Sequence, residues 1–324
     1  MPLPITIDPA VFDSQAIAPE TTATNDKLEA FFKTIPPIWD VGAPAIRAAR
    51  RNGEGMLGRE PEADIAQWRT ISANGQTVRV RIFTPETITG IYLHIHGGGH
   101  TIGSADNQDQ TLAHFANTLN MAIVSVEYRL APENIWPAAP DDCETAAVWL
   151  AQNAQTEFGT DRMLVGGESA GAHLALVTLL RMRDRHGFTG FCGANLVYGV
   201  YDMALSPSAR QWGERNLILS TPIIEWFMEN LLPATAFSET DKRAPEISPL
   251  YAALHELPPA LFTVGPLDPL VDDTLMMAAR WVGAGNSADL RIYPGGIHAF
   301  DILDIPIARE ARASMIEFMG QCLG

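Results

Sequence analysis

Lysine is nearly missing from this 324-residue chain: it occurs only at Lys27, Lys33 and Lys242, and arginine brings the basic side chains to just 22 against 38 Asp and Glu. The formal charge of −16 and the lack of any basic block exclude nucleic acid and anionic membrane surfaces as partners, because both are held by clustered Lys and Arg. Cysteine is scarce as well. Cys143, Cys192 and Cys322 are odd in number and far apart, which excludes a disulfide framework and a close-spaced metal-ligand set, so they read as buried thiols. No apolar run reaches bilayer length, and Met1 to Asp8 has no basic stretch leading into an apolar one, so the expectation is a cytoplasmic protein with no membrane partner. Internal repeats and low-complexity tracts are absent too.

What is present is a large apolar fraction, 47% against 19% charged. This excludes a disordered chain and suits one elaborated α/β domain as well as two small ones. The stretch that organises the rest runs from Arg162 to His173 and includes Gly167-Glu168-Ser169-Ala170-Gly171. Met163 to Val165 reads as a buried strand and Ala172 to Leu180 as a buried helix, which places Ser169 at a sharp strand-to-helix turn. Such a turn leaves no room for β-carbons two residues before and after the serine, where Gly167 and Gly171 stand. It also exposes the hydroxyl at a helix N-terminus and aims the Ala170 N–H at an anion formed on attack. Without partners, the same residues are a small-residue turn before a helix.

The rest of the chain follows an α/β order. Asn25 to Ile35 and Gly42 to Arg51 are helical patterns split by Pro36-Pro37, and their apolar residues suit either a lid over a pocket or packing on the outside of the core. Trp68 to Ile71 and Thr77 to Phe83 alternate with period two around Ser72-Ala73-Asn74-Gly75, an antiparallel edge hairpin. Ile91 to Ile95 and Met121 to Val126 are near-continuous apolar runs of the kind buried in parallel sheets, with a helix from Asn107 to Leu119 between them. A helix over Asp141 to Phe158, the elbow, and a strand near Ala194 to Tyr198 come next. Residues 201 to 250 read as an insertion with one clear helix, Pro222 to Leu231. The strand Ala260 to Val264, the helix Thr274 to Val282, the strand Asp289 to Tyr293 and the helix Ile307 to Met319 close the pattern. A doubly wound, mostly parallel sheet binds its ligands at the carboxyl ends of its strands.

Three further motifs fall at such ends. His96-Gly97-Gly98-Gly99-His100 follows the Ile91 strand, and its glycines let the backbone turn N–H groups toward a substrate oxygen. Gly98, Gly99 and Ala170 are the candidate oxyanion donors, while His96 and Gly97 brace the loop. The alternative, a nucleotide phosphate loop, lacks the Gly-Lys-Ser/Thr and dinucleotide spacings. Asp268 follows the Leu261 strand and His298 the Ile292 strand. Alone, Asp268 could be a helix cap and His298 a core histidine. Together with Ser169 they stand in the order Ser, Asp, His at three strand ends of one sheet, one of the chain orders in which a nucleophile, its base and an orienting carboxylate occur.

The stretches His96 to Gly99, Glu127 to Glu133, Pro137 to Asp142, Gly167 to Gly171, Asp268-Pro269-Leu270 and His298-Ala299-Phe300 together resemble the hormone-sensitive-lipase group of α/β-hydrolase carboxylesterases over nearly the whole chain. The resemblance implies an α/β-hydrolase fold with a mostly parallel eight-stranded sheet, helices on both faces and a helical cap. The cap would comprise residues 1–55 and 201–250, and the core residues 56–200 and 251–324. It further implies hydrolysis of small esters by Ser169, Asp268 and His298 through an acyl-enzyme, with no cofactor or metal, and a homodimer through the last strand. Tyr128, Arg129 and Glu133 match a structural stretch. Phe31, Phe32, Trp39, Trp226 and Phe227 on the cap segments are candidate pocket residues for short to medium acyl chains. Glu168 and His100 depart from the family's usual residues, and His100 is expected to face the pocket. The rival readings are a non-catalytic small-molecule binder of the same fold, and an amidase, peptidase or acyltransferase using the same three residues.

Overall fold

The apolar runs at Ile91, Met121, Leu164, Leu196 and Leu261 form the middle of an eight-stranded sheet in a computed structural model that describes residues 5–55 and 59–324. The strands are β1 (Ala66–Ala73), β2 (Gln76–Phe83), β3 (Gly90–Ile95), β4 (Met121–Glu127), β5 (Met163–Glu168), β6 (Phe191–Val197), β7 (Ala260–Val264) and β8 (Ala288–Ile292). Their spatial order is β1-β2-β4-β3-β5-β6-β7-β8. Strand β2 runs antiparallel to β1 and β4, and every other pair is parallel. The expected hairpin therefore sits at one edge, with its Asn74-Gly75 turn at positive φ in both residues, as a two-residue hairpin requires.

The helices are α1 (Pro19–Phe32), α2 (Ile38–Val41), α3 (Ala43–Arg51), α4 (Asp109–Leu119), α5 (Ala138–Phe158), α6 (Ala170–His186), α7 (Pro207–Gln211), α8 (Thr221–Leu231), α9 (Glu239–Lys242), α10 (Val271–Gly283) and α11 (Pro306–Leu323). Helices α5, α6 and α10 cover one face of the sheet, in a core that includes Val165, Leu176 and Trp281. Helices α4 and α11 cover the other, around Tyr92, Phe115 and Met315. Burial on both faces is why β3 has no exposed residue and reads as unbroken apolar sequence. A third cluster joins α8 to Val177 and Ile102 of the core and takes in Ile38 and Ile46 from the N-terminal helices.

Several expectations change in detail. The 201–250 segment holds three helices, not one, since α7 and α9 are too short to show a 3.6-residue period. Cys143 is buried, but Cys192 and Cys322 are only half-buried, because both lie toward the rim where α11 crosses β6. Residues Met1 to Pro4 and the expected 55/56 boundary, which abuts residues 56–58, lie at or outside the described residues. Among the described residues no helix is long and apolar enough to cross a membrane.

Candidate active site

Strand order brings the chemistry together before any side chain does. Strand β3 pairs with β5, with Ile95 opposite Gly167, so the glycine loop after β3 and the turn after β5 leave the sheet side by side at its carboxyl end. The sheet order reverses here, because β4 lies on one side of β3 and β5 on the other, and that is where open α/β sheets form a crevice.

Ser169 occupies φ 56°, ψ −117° between β5 and α6, a backbone region that costs a non-glycine residue on the order of 1–3 kcal/mol. Its N–H donates to the Val197 carbonyl at 2.8 Å, which holds the strained turn against β6. A β-carbon on Gly167 or Gly171 would collide with the Ile95 carbonyl oxygen. The turn therefore closes only with glycine at both places.

Asp268 and His298 arrive from neighbouring strands. The loop after β7 and the loop after β8 are tied by a parallel bridge, Leu267 with Ile297, and by the Leu267 N–H donating to the Gly296 carbonyl at 3.0 Å. His298 Nδ1 lies 2.8 Å from Asp268 Oδ2, and His298 Nε2 lies 3.0 Å from Ser169 Oγ. Asp268 is wholly buried and its Oδ1 accepts the Leu270 N–H at 2.8 Å. A carboxylate can only accept, so Nδ1 carries the imidazole proton and Nε2 is left to take the serine's.

Gly98 and Gly99 take φ of 114° and 57°, and their N–H groups and that of Ala170 donate to no backbone acceptor among the described residues. All three residues line the same cavity as Ser169 and His298. His96 Nδ1 donates to the Gly97 carbonyl at 2.8 Å. The Tyr128 ring stacks on the His96 ring at 4.1 Å, and the Tyr128 hydroxyl donates to the His96 carbonyl at 2.9 Å. Burial drives His96 down to about 3, so this imidazole is a neutral brace at physiological pH.

The cavity has a volume of about 960 Å³ and draws its walls from residues 29–55, Glu60, the glycine loop, and residues 198–228. Phe31, Phe32, Trp39, Phe227 and His100 belong to it, and Trp226 does not. Successive residues on a helix point about 100° apart, so with Phe227 facing inward the Trp226 ring lies beside it, 5.2 Å between centroids, on the outer side of α8. His100 sits at φ 57° with its ring buried and Nε2 on His173 Nδ1 at 3.0 Å. His173 Nε2–H donates to the Ile247 carbonyl at 2.8 Å, so His173 Nδ1 accepts and His100 Nε2 donates.

Some participants escaped the sequence reading. Tyr198, the residue after β6, packs its ring 4.8 Å from that of His298, and its hydroxyl donates to Asp301 Oδ1 at 2.5 Å. Burial raises Asp301 to about 6. The available signal was position, since Tyr198 ends a strand as the other site residues do. Arg47 of α3 reaches the Thr101 carbonyl at 2.7 Å, the Ala131 carbonyl, and Glu133 at 2.9 Å, which ties the N-terminal helices to the glycine loop. No local pattern in α3 distinguishes this arginine from Arg50 and Arg51.

Comparison with known proteins agrees with this geometry. Residues 92–302 match the family described as the α/β hydrolase fold. The chain is 31% identical to the carboxylic ester hydrolase LipN of Mycobacterium tuberculosis over 76% of its length and 67% of that protein. It is 32% identical to the carboxylesterase NlhH of the same organism over 78% of its length and 80% of that protein. A Pyrobaculum calidifontis esterase structure superposes with a TM-score of 0.81 at 28% identity, covering 94% of this chain and 98% of that one.

Proposed function

The chain belongs to the α/β-hydrolase fold family, and on that footing we propose that it is a serine carboxylic ester hydrolase acting on small esters. The observation that carries the reading is the unbroken hydrogen-bond chain Ser169–His298–Asp268 at 3.0 and 2.8 Å. Ser169 Oγ attacks the ester carbonyl carbon while His298 Nε2 takes the hydroxyl proton. Asp268, desolvated and aimed at Nδ1–H, stabilises the imidazolium that results. The carbonyl oxygen gathers negative charge, and the N–H groups of Gly98, Gly99 and Ala170 are placed to receive it, each such donor contributing roughly 3–4 kcal/mol in comparable sites.

His298 then protonates the departing alkoxide, which leaves as the alcohol. Water enters, loses a proton to Nε2, adds to the acyl carbon, and the carboxylic acid departs as Ser169 regains its hydrogen. The reading of residues 1–55 and 201–250 as a helical cap is supported by their share of the cavity wall. That cavity suits short to medium acyl chains.

The test is Ser169→Ala assayed on p-nitrophenyl butyrate. Turnover is expected to fall by about 10³-fold or more with an unchanged circular dichroism spectrum. A variant that kept near wild-type turnover would place the chemistry elsewhere.

A further inference from the structure

The cavity wall holds a guanidinium for which the rest of the site has no use. Arg50 lies in the last turn of α3, three residues beyond Arg47, and lines the cavity that contains Ser169 and His298. The other cationic side chains of that wall, Lys33 and Arg215, both sit on Glu29 at 2.9 Å. Arg50 differs. Among the described residues its side chain makes no hydrogen bond and no ion pair, and the charges that perturb its titration include no carboxylate.

None of the five carboxylates on the same wall, Glu29, Glu54, Glu60, Glu168 and Glu214, pairs with Arg50 among the described residues, and Glu54 accepts instead from Asn52 Nδ2 at 3.2 Å. Glu60 accepts the backbone N–H groups of Gln110 and Thr111 at the start of α4, at 2.8 and 3.0 Å. Glu168 faces His94 Nε2 at 3.2 Å. Arg50 instead lies near the stacked His96 and Tyr128 rings, close enough to bias both titrations, and so beside the loop that borders Ser169. Burial lowers it to about 10, which still leaves it charged at neutral pH. Its side chain is half-buried, and a partly desolvated cation without a counter-ion gains when a ligand supplies one.

We infer that Arg50 is the anchor of an anion subsite, and that the esters this cavity takes carry a free carboxylate on the acyl or the alcohol part. A planar guanidinium pairs with a carboxylate through two parallel N–H···O bonds. Phosphate is normally gathered by several donors at once, whereas of the neighbouring arginines Arg47 is paired with Glu133 and neither Arg47 nor Arg51 lines the cavity. This inference deepens the ester-hydrolase reading and rests on it.

The experiment compares esters matched in size. One pair, mono-4-nitrophenyl glutarate against 4-nitrophenyl valerate, places the carboxylate on the acyl side. The other, 4-(butanoyloxy)benzoate against phenyl butyrate, places it on the alcohol side. At least one pair is expected to favour the acid by about tenfold or more in kcat/KM, mainly through KM. Arg50→Gln should bring that ratio to about one, and Arg50→Lys should keep part of it. Taking the ratio within each variant cancels any loss common to both esters. Free glutarate should also raise the melting temperature of the wild type and not that of Arg50→Gln. Ratios near one in both pairs, or an equal ratio in Arg50→Gln, would overturn the subsite. If the wild type hydrolysed none of the four esters, the hydrolase reading would fail instead, and the glutarate shift would still decide the role of Arg50.

Discussion

Gly265 and Gly296 stand face to face, so close that a β-carbon on Gly265 would collide with the carbonyl group of Gly296. This contact sets the distance between the loop that carries Asp268 and the loop that carries His298. Backbone meets backbone here, so no rotamer change can absorb an added methyl group.

Gly265→Ala is therefore expected to separate the two loops and lengthen the Asp268–His298 hydrogen bond. The overpacking should cost about 1–3 kcal/mol of stability, and kcat should fall by about tenfold or more because the imidazole loses its orientation. Melting temperature and kcat on p-nitrophenyl butyrate measure the two effects separately. A full-rate enzyme with lowered stability would mean that the triad does not depend on this contact.

Phe227 is the aromatic side chain that a β-carbon on Gly99 would strike, so its ring closes the cavity directly over the glycine loop. Replacing it by alanine should lengthen the accommodated acyl chain and move the optimum of kcat/KM from butyrate toward octanoate or longer. Each additional buried methylene contributes about 0.8 kcal/mol, or roughly fourfold. A panel of p-nitrophenyl esters from acetate to laurate reads this out. An unchanged optimum would place the acyl chain on another wall.

The buried histidines set a dependence of stability on pH. Desolvation lowers His173 to about 4 and His96 to about 3, and pushes His100 well below the ordinary 6.5. Each binds a proton more readily unfolded than folded, so the stability it contributes is complete above 6.5 and is lost as pH falls below that value. Asp273 and Asp301, raised by burial from 3.8 to about 7 and about 6, act in the opposite sense. Their contribution is complete below 3.8 and is lost as pH rises through those values. Between about pH 5 and 6, His173→Gln should reduce the slope of unfolding free energy against pH by about 1.4 kcal/mol per unit, and Asp301→Asn should increase it by a similar amount. Urea titrations across that range test the signs, and equal slopes in all three proteins would contradict the assignment.

Much of this was legible in the chain because the relevant signals are local. Periodicity two around Asn74-Gly75, unbroken apolar runs for the central strands, and the glycines flanking Ser169 each follow from the conformation of a few consecutive residues. The short helices α7 and α9 left no such trace, being less than two turns long. Trp226 read as a pocket residue because composition does not tell which face of α8 turns inward.

By itself, the sequence determined the fold class, the strand ends that bear chemistry, and the order of Ser169, Asp268 and His298, since each is set by spacing and backbone preference along the chain. Only the tertiary structure decided that Tyr198 backs His298, that His100 turns onto His173, and that Arg50 stands on the cavity wall with no carboxylate paired to it among the described residues. Those relations join elements dozens of residues apart, and the burial and partners of a charge exist only once the surrounding elements have packed.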